Sequence, residues 1–313
     1  MKAGQTTTRE SRPMPSITAK LIAFYIEKSG RKAGFSDPDL VRAKVAERLI
    51  RPTSFSPPSR WRDPVDVSVD YSSGWPVYRL APTDGDVKRE GVYVHGGAWI
   101  NEIVAPQWQL AAEVAVKSKA AVYVPIYPLA PLGTAEPVVD QVSRLVGGIV
   151  DRIGSDRTFI MGDSAGGQIS LSTALHLLRT RNETLARTIL ISPALDLRLN
   201  NPALDRVEKL DPWLARRGLT AAIEMWRGGL KVDDPKVSPL LADLAGLGPL
   251  TLFSGSHDIT NPDTDLLAAK AKTSGVQVQY YREEGLIHVY PLLLGPEAKR
   301  ARQQIVETLN SMG

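Results

Sequence analysis

Cysteine is absent from the 313 residues, and only four histidines occur. The lack of cysteine excludes a disulfide scaffold, a thiol nucleophile and any metal or cluster held by cysteines. A nucleophile in this protein must therefore use oxygen or nitrogen. The sequence implies neither a metal nor an organic cofactor.

Long apolar runs and clusters of basic residues are also missing. No stretch approaches the length of a membrane span, and residues 1–12 are polar and lack the apolar core of a signal peptide. The net charge of +4 comes from lysines and arginines spread along the chain, without interleaved aromatic residues. We therefore expect a cytoplasmic protein that neither inserts stably into a membrane nor binds nucleic acid. Whether it forms a homodimer stays open.

From residue 65 onward, short β-rich runs alternate with helical stretches. The later runs are apolar without alternation, which is typical of parallel strands buried on both faces. Strands that alternate with helices indicate an α/β fold, here an eight-stranded, mostly parallel sheet flanked by helices. The predicted strands are residues 65–69, 76–80, 91–94, 121–127, 158–161, 188–191, 250–254 and 276–281.

An N-terminal segment and an insertion do not fit this alternation. In the N-terminal segment, residues 17–25 and 40–50 have apolar residues at helical spacing, ahead of a proline-rich linker. Another helical pattern interrupts the chain between the sixth and seventh predicted strands. The predicted division is therefore an N-terminal helical segment, a core in two parts and an insertion, with boundaries at 1–60, 61–199, 200–230 and 231–313.

The strongest local signal is the motif G-x-S-x-G centred on Ser164, which follows a predicted buried strand. This context is typical of a sharp turn that exposes a nucleophilic hydroxyl. Gly162 and Gly166 would remove side chains that otherwise collide with neighbouring backbone. The helix that follows directs its amides toward the site, so the N–H of Ala165 can stabilise an oxyanion. An ordinary glycine-rich turn is the alternative.

A second signal, His95-Gly96-Gly97, follows the third predicted strand. Consecutive glycines leave backbone N–H groups unshielded, so Gly96 and Gly97 are candidates for the other oxyanion donors. A turn that simply contains two glycines is the alternative. We assign His95 a structural role in organising this loop.

A serine hydroxyl needs a base and an acid that orients the base. His288, after the last predicted strand, is the candidate base, because the two remaining histidines lie in an apolar helical run and directly before an acidic residue. The acid is expected after the seventh strand, where Asp258 stands. Asp263 and Asp265 are alternatives that we expect to fall in the next helix.

These residues resemble the bacterial hormone-sensitive-lipase-like family of α/β-hydrolase esterases. The resemblance covers about the last four-fifths of the chain. It departs from the family at Leu132, where a glutamate is common. The resemblance also includes two further segments, Tyr127-Pro128-Leu129-Ala130-Pro131 and Ser238-Pro239-Leu240.

The resemblance implies hydrolysis of small to medium carboxylic esters through an acyl-serine intermediate. It also implies a cap, formed by the N-terminal helices together with the insertion, that covers the site and sets substrate choice. Hydrolysis of lactones, activated amides or N-formyl compounds is the main alternative, since all of them pass through a similar oxyanion. A non-catalytic receptor on this fold is a third hypothesis, which the presence of His288 disfavours.

Overall fold

A computed structural model of the chain describes residues 14–312 and the backbone of residues 7–10. The described residues form a single β-sheet and a set of α-helices around it. The strands are β1 Thr7–Glu10, β2 Val65–Asp70, β3 Val77–Pro82, β4 Arg89–Val94, β5 Ala120–Pro125, β6 Thr158–Asp163, β7 Arg187–Ile191, β8 Leu250–Gly255 and β9 Val278–Glu283. The helices are α1 Ile17–Lys28, α2 Pro38–Ile50, α3 Ala105–Lys117, α4 Ala135–Ile153, α5 Ala165–Arg181, α6 Leu204–Leu210, α7 Arg216–Arg227, α8 Asn261–Thr273 and α9 Pro296–Asn310.

The strands lie in the order β1-β9-β8-β7-β6-β4-β5-β3-β2. β3 runs antiparallel to both of its neighbours, and the other pairings are parallel. The eight predicted strands and their mostly parallel arrangement are confirmed. The structure adds β1, which pairs with β9 at one edge. The predicted first and last segments also include residues 1–6, 11–13 and 313, which lie outside the described residues.

The middle strand β6 is buried on both of its faces. Phe159 and Met161 join an apolar cluster with Leu110 of α3 on one side of the sheet. Ile160 points to the other side and joins Ile169 of α5. This double burial explains the continuous apolar run in the sequence, and it holds the carboxyl end of β6 in a fixed position.

The N-terminal helices and the insertion pack against each other although they are far apart in sequence. α2 lies on α7, and the turn before α2 approaches Gly218 so closely that a Cβ there would lie 2.2 Å from the carbonyl oxygen of Phe35. Lys32 donates hydrogen bonds to the carbonyl oxygens of Asp211, at 2.6 Å, and of Glu208. None of the helices within residues 14–312 has both the length and the apolar character that crossing a membrane requires.

One buried side chain, Gln168 of α5, joins the core to the insertion. Its Oε1 accepts hydrogen bonds from the indole N–H groups of Trp99 and Trp226, each at 3.0 Å. Its Nε2 donates to the carbonyl oxygen of Lys236 at 2.7 Å and to the Ser172 hydroxyl at 3.0 Å. The two indole rings stack with their centroids 5.8 Å apart. Both lone pairs and both N–H groups of this amide are therefore used.

We expect Gln168→Leu to lower the free energy of unfolding by about 2 to 4 kcal/mol, because it leaves the two buried indole N–H groups of Trp99 and Trp226 without partners. Urea denaturation of the two proteins measures this difference. Gln303→Leu is the matched control, since Gln303 is exposed on α9 and its amide bonds to the exposed Glu307 of the same helix. Equal stability of Gln168→Leu and the wild type would contradict this account of the amide.

Candidate active site

Ser164 lies at the sharp turn between β6 and α5, with φ 52° and ψ −118°. A Cβ on Gly166 would lie 2.0 Å from the carbonyl oxygen of Val94, so only glycine permits this turn. The Ser164 amide donates to the carbonyl oxygen of Ile191 at 2.8 Å, and its carbonyl oxygen accepts from the amide of Ala194 at 3.1 Å. The end of β7 and the segment that follows it thus fix the strained backbone of the serine.

The structure brings Ser164, His288 and Asp258 together at the carboxyl ends of β6, β9 and β8. Ser164 Oγ lies 2.9 Å from His288 Nε2, and His288 Nδ1 lies 2.9 Å from Asp258 Oδ1. His288 is thus within hydrogen-bond reach of both Ser164 and Asp258, which is the arrangement that general-base activation of a hydroxyl requires.

Neighbouring groups hold the histidine and the acid in place. The Val289 amide donates to the Ser192 hydroxyl at 2.9 Å, which fixes the loop next to His288. Asp258 is fully buried, and its Oδ1 accepts from the amide and the hydroxyl of Thr260, each at 2.9 Å. The Trp213 ring lies nearly perpendicular to the imidazole, with centroids 6.1 Å apart.

The two alternative acids lie elsewhere, in the helix α8 where we expected them. Asp263 accepts a hydrogen bond from Asn201 at 2.7 Å. Asp265 accepts from the Tyr280 hydroxyl at 2.7 Å. Of the three carboxylates considered from the sequence, Asp258 is the one that contacts His288.

Opposing effects act on the pKa of His288. Burial lowers this pKa, since the imidazolium loses hydration. The carboxylate of Asp258, by its charge and hydrogen bond, and the charges of Asp211 and Asp163 raise it. The net result is a pKa above the ordinary value of histidine. The site therefore favours the imidazolium that forms when the histidine takes the proton of Ser164.

His95 is buried in the loop after β4, where its ring stacks on Tyr127 with centroids 4.5 Å apart. Burial lowers the pKa of His95 to about 4, although the hydrogen bond with the Gly96 carbonyl oxygen opposes this effect. The imidazole is therefore neutral, and Nδ1–H donates to that oxygen at 2.8 Å. This bond fixes the peptide unit between Gly96 and Gly97.

The two glycine amides of this loop face different partners. The Gly96 N–H donates to Asp163 Oδ1 at 3.0 Å, so it is occupied by a side chain of the protein. The Gly97 carbonyl oxygen accepts from the amides of Ile100, at 3.2 Å, and Asn101, at 2.9 Å. Because N–H and C=O point in opposite directions across a trans peptide, these bonds direct the Ala98 N–H toward the other side of the loop. Of the predicted pair, Gly96 is thus bonded to Asp163, and the amides of Gly97 and Ala98 are the candidate donors of this loop.

Asp211, a residue that the sequence did not indicate, connects the insertion to this site. It is buried at the end of α6. Its Oδ2 accepts from the amide of Ile259, the neighbour of Asp258, at 2.8 Å. Its Oδ1 accepts from the amides of Trp213, at 2.7 Å, and Leu214, at 2.9 Å. Burial and then the charge of Asp258 raise the pKa of Asp211 above its usual value. One carboxylate thus holds both the acid loop and the turn that carries Trp213.

A cavity of about 920 Å³ opens onto Ser164 and His288. Its walls combine the loop after β4 with apolar side chains of α1, the insertion and the segment before α9. The apolar side chains of these walls include Ile22, Phe35, Leu199, Leu219, Ile223 and Leu292. A volume at the upper end of the usual range for small-molecule sites leaves room for an extended apolar ligand next to the serine.

A family model described as the alpha/beta hydrolase fold matches residues 91–292. The chain belongs to this family. This α/β hydrolase is 30% identical over 241 residues to a triacylglycerol lipase of Mycobacterium tuberculosis, a match that covers 76% of this chain and 50% of the lipase. It is also 30% identical over 224 residues to an esterase of Acinetobacter venetianus, covering 70% of this chain and 74% of the esterase. The hydrolase thus spans about half the length of that lipase.

Solved structures show the same fold. The hormone-sensitive-lipase homologue EstE7 from a metagenome library superposes with a TM-score of 0.80 at 23% identity, covering 95% of this hydrolase and 99% of that chain. A hormone-sensitive lipase from a metagenome library gives a TM-score of 0.81 at 23% identity, over 96% and 99% of the two chains. The predicted α/β-hydrolase fold and the resemblance to the hormone-sensitive-lipase-like esterases are confirmed.

Proposed function

We propose that this protein is a serine carboxylesterase in which Ser164 is the nucleophile, His288 the general base and Asp258 the orienting acid. The observation that carries the proposal is the pair of 2.9 Å contacts that joins the three side chains. The esterase and lipase names of its relatives support the same reaction.

In the proposed acylation step, Ser164 Oγ forms a bond to the carbonyl carbon of the ester, and His288 Nε2 takes the hydroxyl proton. The carbonyl oxygen becomes an oxyanion, which the amides of Gly97, Ala98 and Ala165 stabilise. The tetrahedral intermediate then collapses, the ester C–O bond breaks, and His288 returns the proton to the leaving alcohol. The acyl group stays on Ser164.

Deacylation repeats these steps with water. His288 takes a proton as the water oxygen bonds to the acyl carbon, and the same amides hold the second oxyanion. Collapse breaks the bond to Ser164 Oγ, releases the carboxylic acid and returns the proton to the serine. Throughout both steps Asp258 keeps the proton on Nδ1 of His288 and stabilises the imidazolium.

The apolar cavity favours esters with small to medium acyl groups as substrates. We propose that the helices of residues 1–60 and the insertion 200–230 act together as its cap, over a core formed by residues 61–199 and 231–313. The packing of α2 on α7 supports this division, as does the presence of both segments in the cavity wall.

Covalent labelling tests the proposed function directly. A fluorophosphonate probe phosphonylates an activated serine and releases fluoride, and we expect one adduct, on the peptide that contains Ser164. A p-nitrophenyl acetate, butyrate and octanoate series measures the acyl preference. Labelling without turnover of any of these esters would direct the search to lactones, activated amides or N-formyl compounds, whereas the absence of labelling would contradict the role of Ser164.

Asp211 gives a prediction about pH. Its charge raises the pKa of His288, so Asp211→Asn lowers that pKa, and the acidic limb of the kcat/KM profile moves to lower pH. The two pH profiles differ most at pH values above the pKa of Asp211, where the wild-type carboxylate is ionised. The asparagine amide also opposes the Ile259 N–H, so we expect kcat/KM at neutral pH to fall about tenfold.

The control for this variant lies in the same insertion. Asp205→Asn removes an exposed carboxylate that pairs with Arg216 at 2.6 Å. This variant should keep the wild-type acidic limb of the pH profile and the wild-type kcat/KM at neutral pH. A folded Asp211→Asn protein with the wild-type acidic limb would show that Asp211 has no influence on the histidine.

A further inference from the structure

Helix α1 is apolar on two opposite faces. Its inner face packs on the protein, with Ile26 buried and Ile22 in the wall of the active-site cavity. Its outer face carries Ile17, Leu21, Phe24 and Tyr25, at positions i, i+4, i+7 and i+8, and these side chains are 79%, 63%, 57% and 68% exposed. A helix that is apolar all round is normally buried, so the outer face of α1 lacks the partner that its sequence predicts.

The exposed apolar surface continues beyond the helix. Met14, just before α1, is 73% exposed, and Leu294, before α9, is 63% exposed. The segment that follows Leu294 lies against the helix, since a Cβ on Gly295 would contact the Thr18 side chain at 3.3 Å. We call these six residues the α1 face: Met14, Ile17, Leu21, Phe24, Tyr25 and Leu294. Contiguous apolar surface of this kind marks an interaction site.

The α1 face borders the opening of the active-site cavity. Tyr25 and Leu294 belong both to the exposed surface and to the cavity wall. The exposed α1 face and the cavity wall therefore meet at these two residues.

Charged side chains accompany the apolar stripe. Lys20 and Lys28 are exposed on α1. The ammonium group of Lys28 lies 5.4 Å from the centre of the Phe24 ring, so it is placed directly beside the stripe. Glu27 is the only acid of the helix. Apolar and basic residues in this combination are typical of helices that lie in the interface of an anionic lipid layer.

We propose that the α1 face docks on an anionic phospholipid surface and places the cavity opening against it. The cations favour this occupant over a second copy of the chain, since two copies that meet through this face would bring the same positive charges together. The docking does not depend on the roles proposed for Ser164 and His288. Its benefit for turnover of lipid-dissolved esters rests on the proposed function.

Vesicle co-sedimentation tests the docking in the Ser164→Ala background, where no ester of the vesicle can be turned over. With phosphatidylcholine vesicles that contain phosphatidylglycerol, we expect the unsubstituted face to bind and Leu21→Gln/Phe24→Gln to partition at least about tenfold less. Leu132→Gln is the control, because Leu132 is an exposed leucine outside the α1 face. The Lys20→Gln/Lys28→Gln variant should bind anionic and neutral vesicles equally. The protein with the unsubstituted face should also lose its preference for anionic vesicles at high salt.

Two further measurements separate docking from folding and from self-association. Neither Leu21 nor Phe24 lines the cavity, so with Ser164 restored the double variant should keep the wild-type Tm and kcat/KM for p-nitrophenyl acetate. Absence of vesicle binding, or binding that survives Leu21→Gln/Phe24→Gln, would overturn the proposal. So would sedimentation velocity that shows a wild-type dimer and a monomeric double variant, because the α1 face would then belong to a second copy.

Discussion

Ser164→Ala should lower kcat/KM for p-nitrophenyl butyrate by on the order of 10⁵-fold or more. The alanine keeps the shape of the turn after β6, but it removes the oxygen that would form the acyl bond. The residual rate then comes from direct attack of water on the ester carbonyl, while the amides of Gly97, Ala98 and Ala165 stabilise the oxyanion that forms. The rate of p-nitrophenolate release, followed for both proteins at the same pH, measures the difference in kcat/KM.

Ser143→Ala is a suitable control for this loss. Ser143 is a buried serine of α4, and its hydroxyl bonds to the carbonyl oxygen of Val139 at 2.7 Å within that helix. We expect that variant to retain its activity within a few-fold. Comparable turnover by Ser164→Ala and the wild type would mean that a different group attacks the ester.

Asp258→Asn should lower kcat by about 10⁴-fold, with little change in the fold. The same oxygen, Asp258 Oδ1, accepts from the amide and the hydroxyl of Thr260 and contacts His288 Nδ1. An asparagine that keeps its carbonyl oxygen in that position lacks the negative charge that stabilises the imidazolium. An asparagine that turns its amide toward Nδ1 forces the imidazole proton onto Nε2, facing Ser164 Oγ. The loss should appear in kcat and kcat/KM alike, because the base acts in the transition state.

Two neighbouring carboxylates separate this effect from a general loss of negative charge. Asp265→Asn replaces an acid of α8 that pairs with Arg282 at 3.4 Å and is remote from the imidazole, and its kcat should match the wild type. Asp263→Asn tests the other carboxylate of this helix, which bonds to Asn201. If Asp263→Asn lost as much activity as Asp258→Asn, the assignment of the orienting acid would have to be revised.

Most of the fold could be predicted because the central strands of the sheet are buried on both faces. Strands such as β6 and β7 therefore contain short uninterrupted apolar runs, and these runs are visible in the sequence. Strand β1 could not be found in this way. Its residues Thr7–Glu10 are polar, and an edge strand owes its place to backbone pairing with β9, which no side-chain pattern records.

The candidate site shows the same division. Ser164, Asp258 and His288 stand in motifs whose position after a strand is readable from the sequence. The orientation of the loop after β4 is not readable, since Ala98 and Trp99 adopt left-handed backbone with φ 52° and 59°, a conformation rare for such residues. The sequence pattern therefore pointed to Gly96 as a donor, whereas in the structure Asp163 takes its amide.

Asp211 escaped notice for a different reason. It stands in the insertion, in a segment with an ordinary helical pattern and no motif. Its position is set by three backbone amides, one of which belongs to a loop that lies 48 residues further along the chain. Contacts of that kind exist only after the chain has folded.

The amide of Gln168 constrains how this protein can change over evolutionary time. One oxygen serves the indoles of Trp99 and Trp226, so each of the three residues fixes the hydrogen-bonding character of the other two. If an apolar residue replaces Gln168, the protein loses stability unless both tryptophans are replaced as well, because their buried indole N–H groups have no other acceptor on this amide. Positions 99, 168 and 226 should consequently be inherited as a set, and a substitution at one of them should be tolerated only in a background that already carries compatible residues at the others.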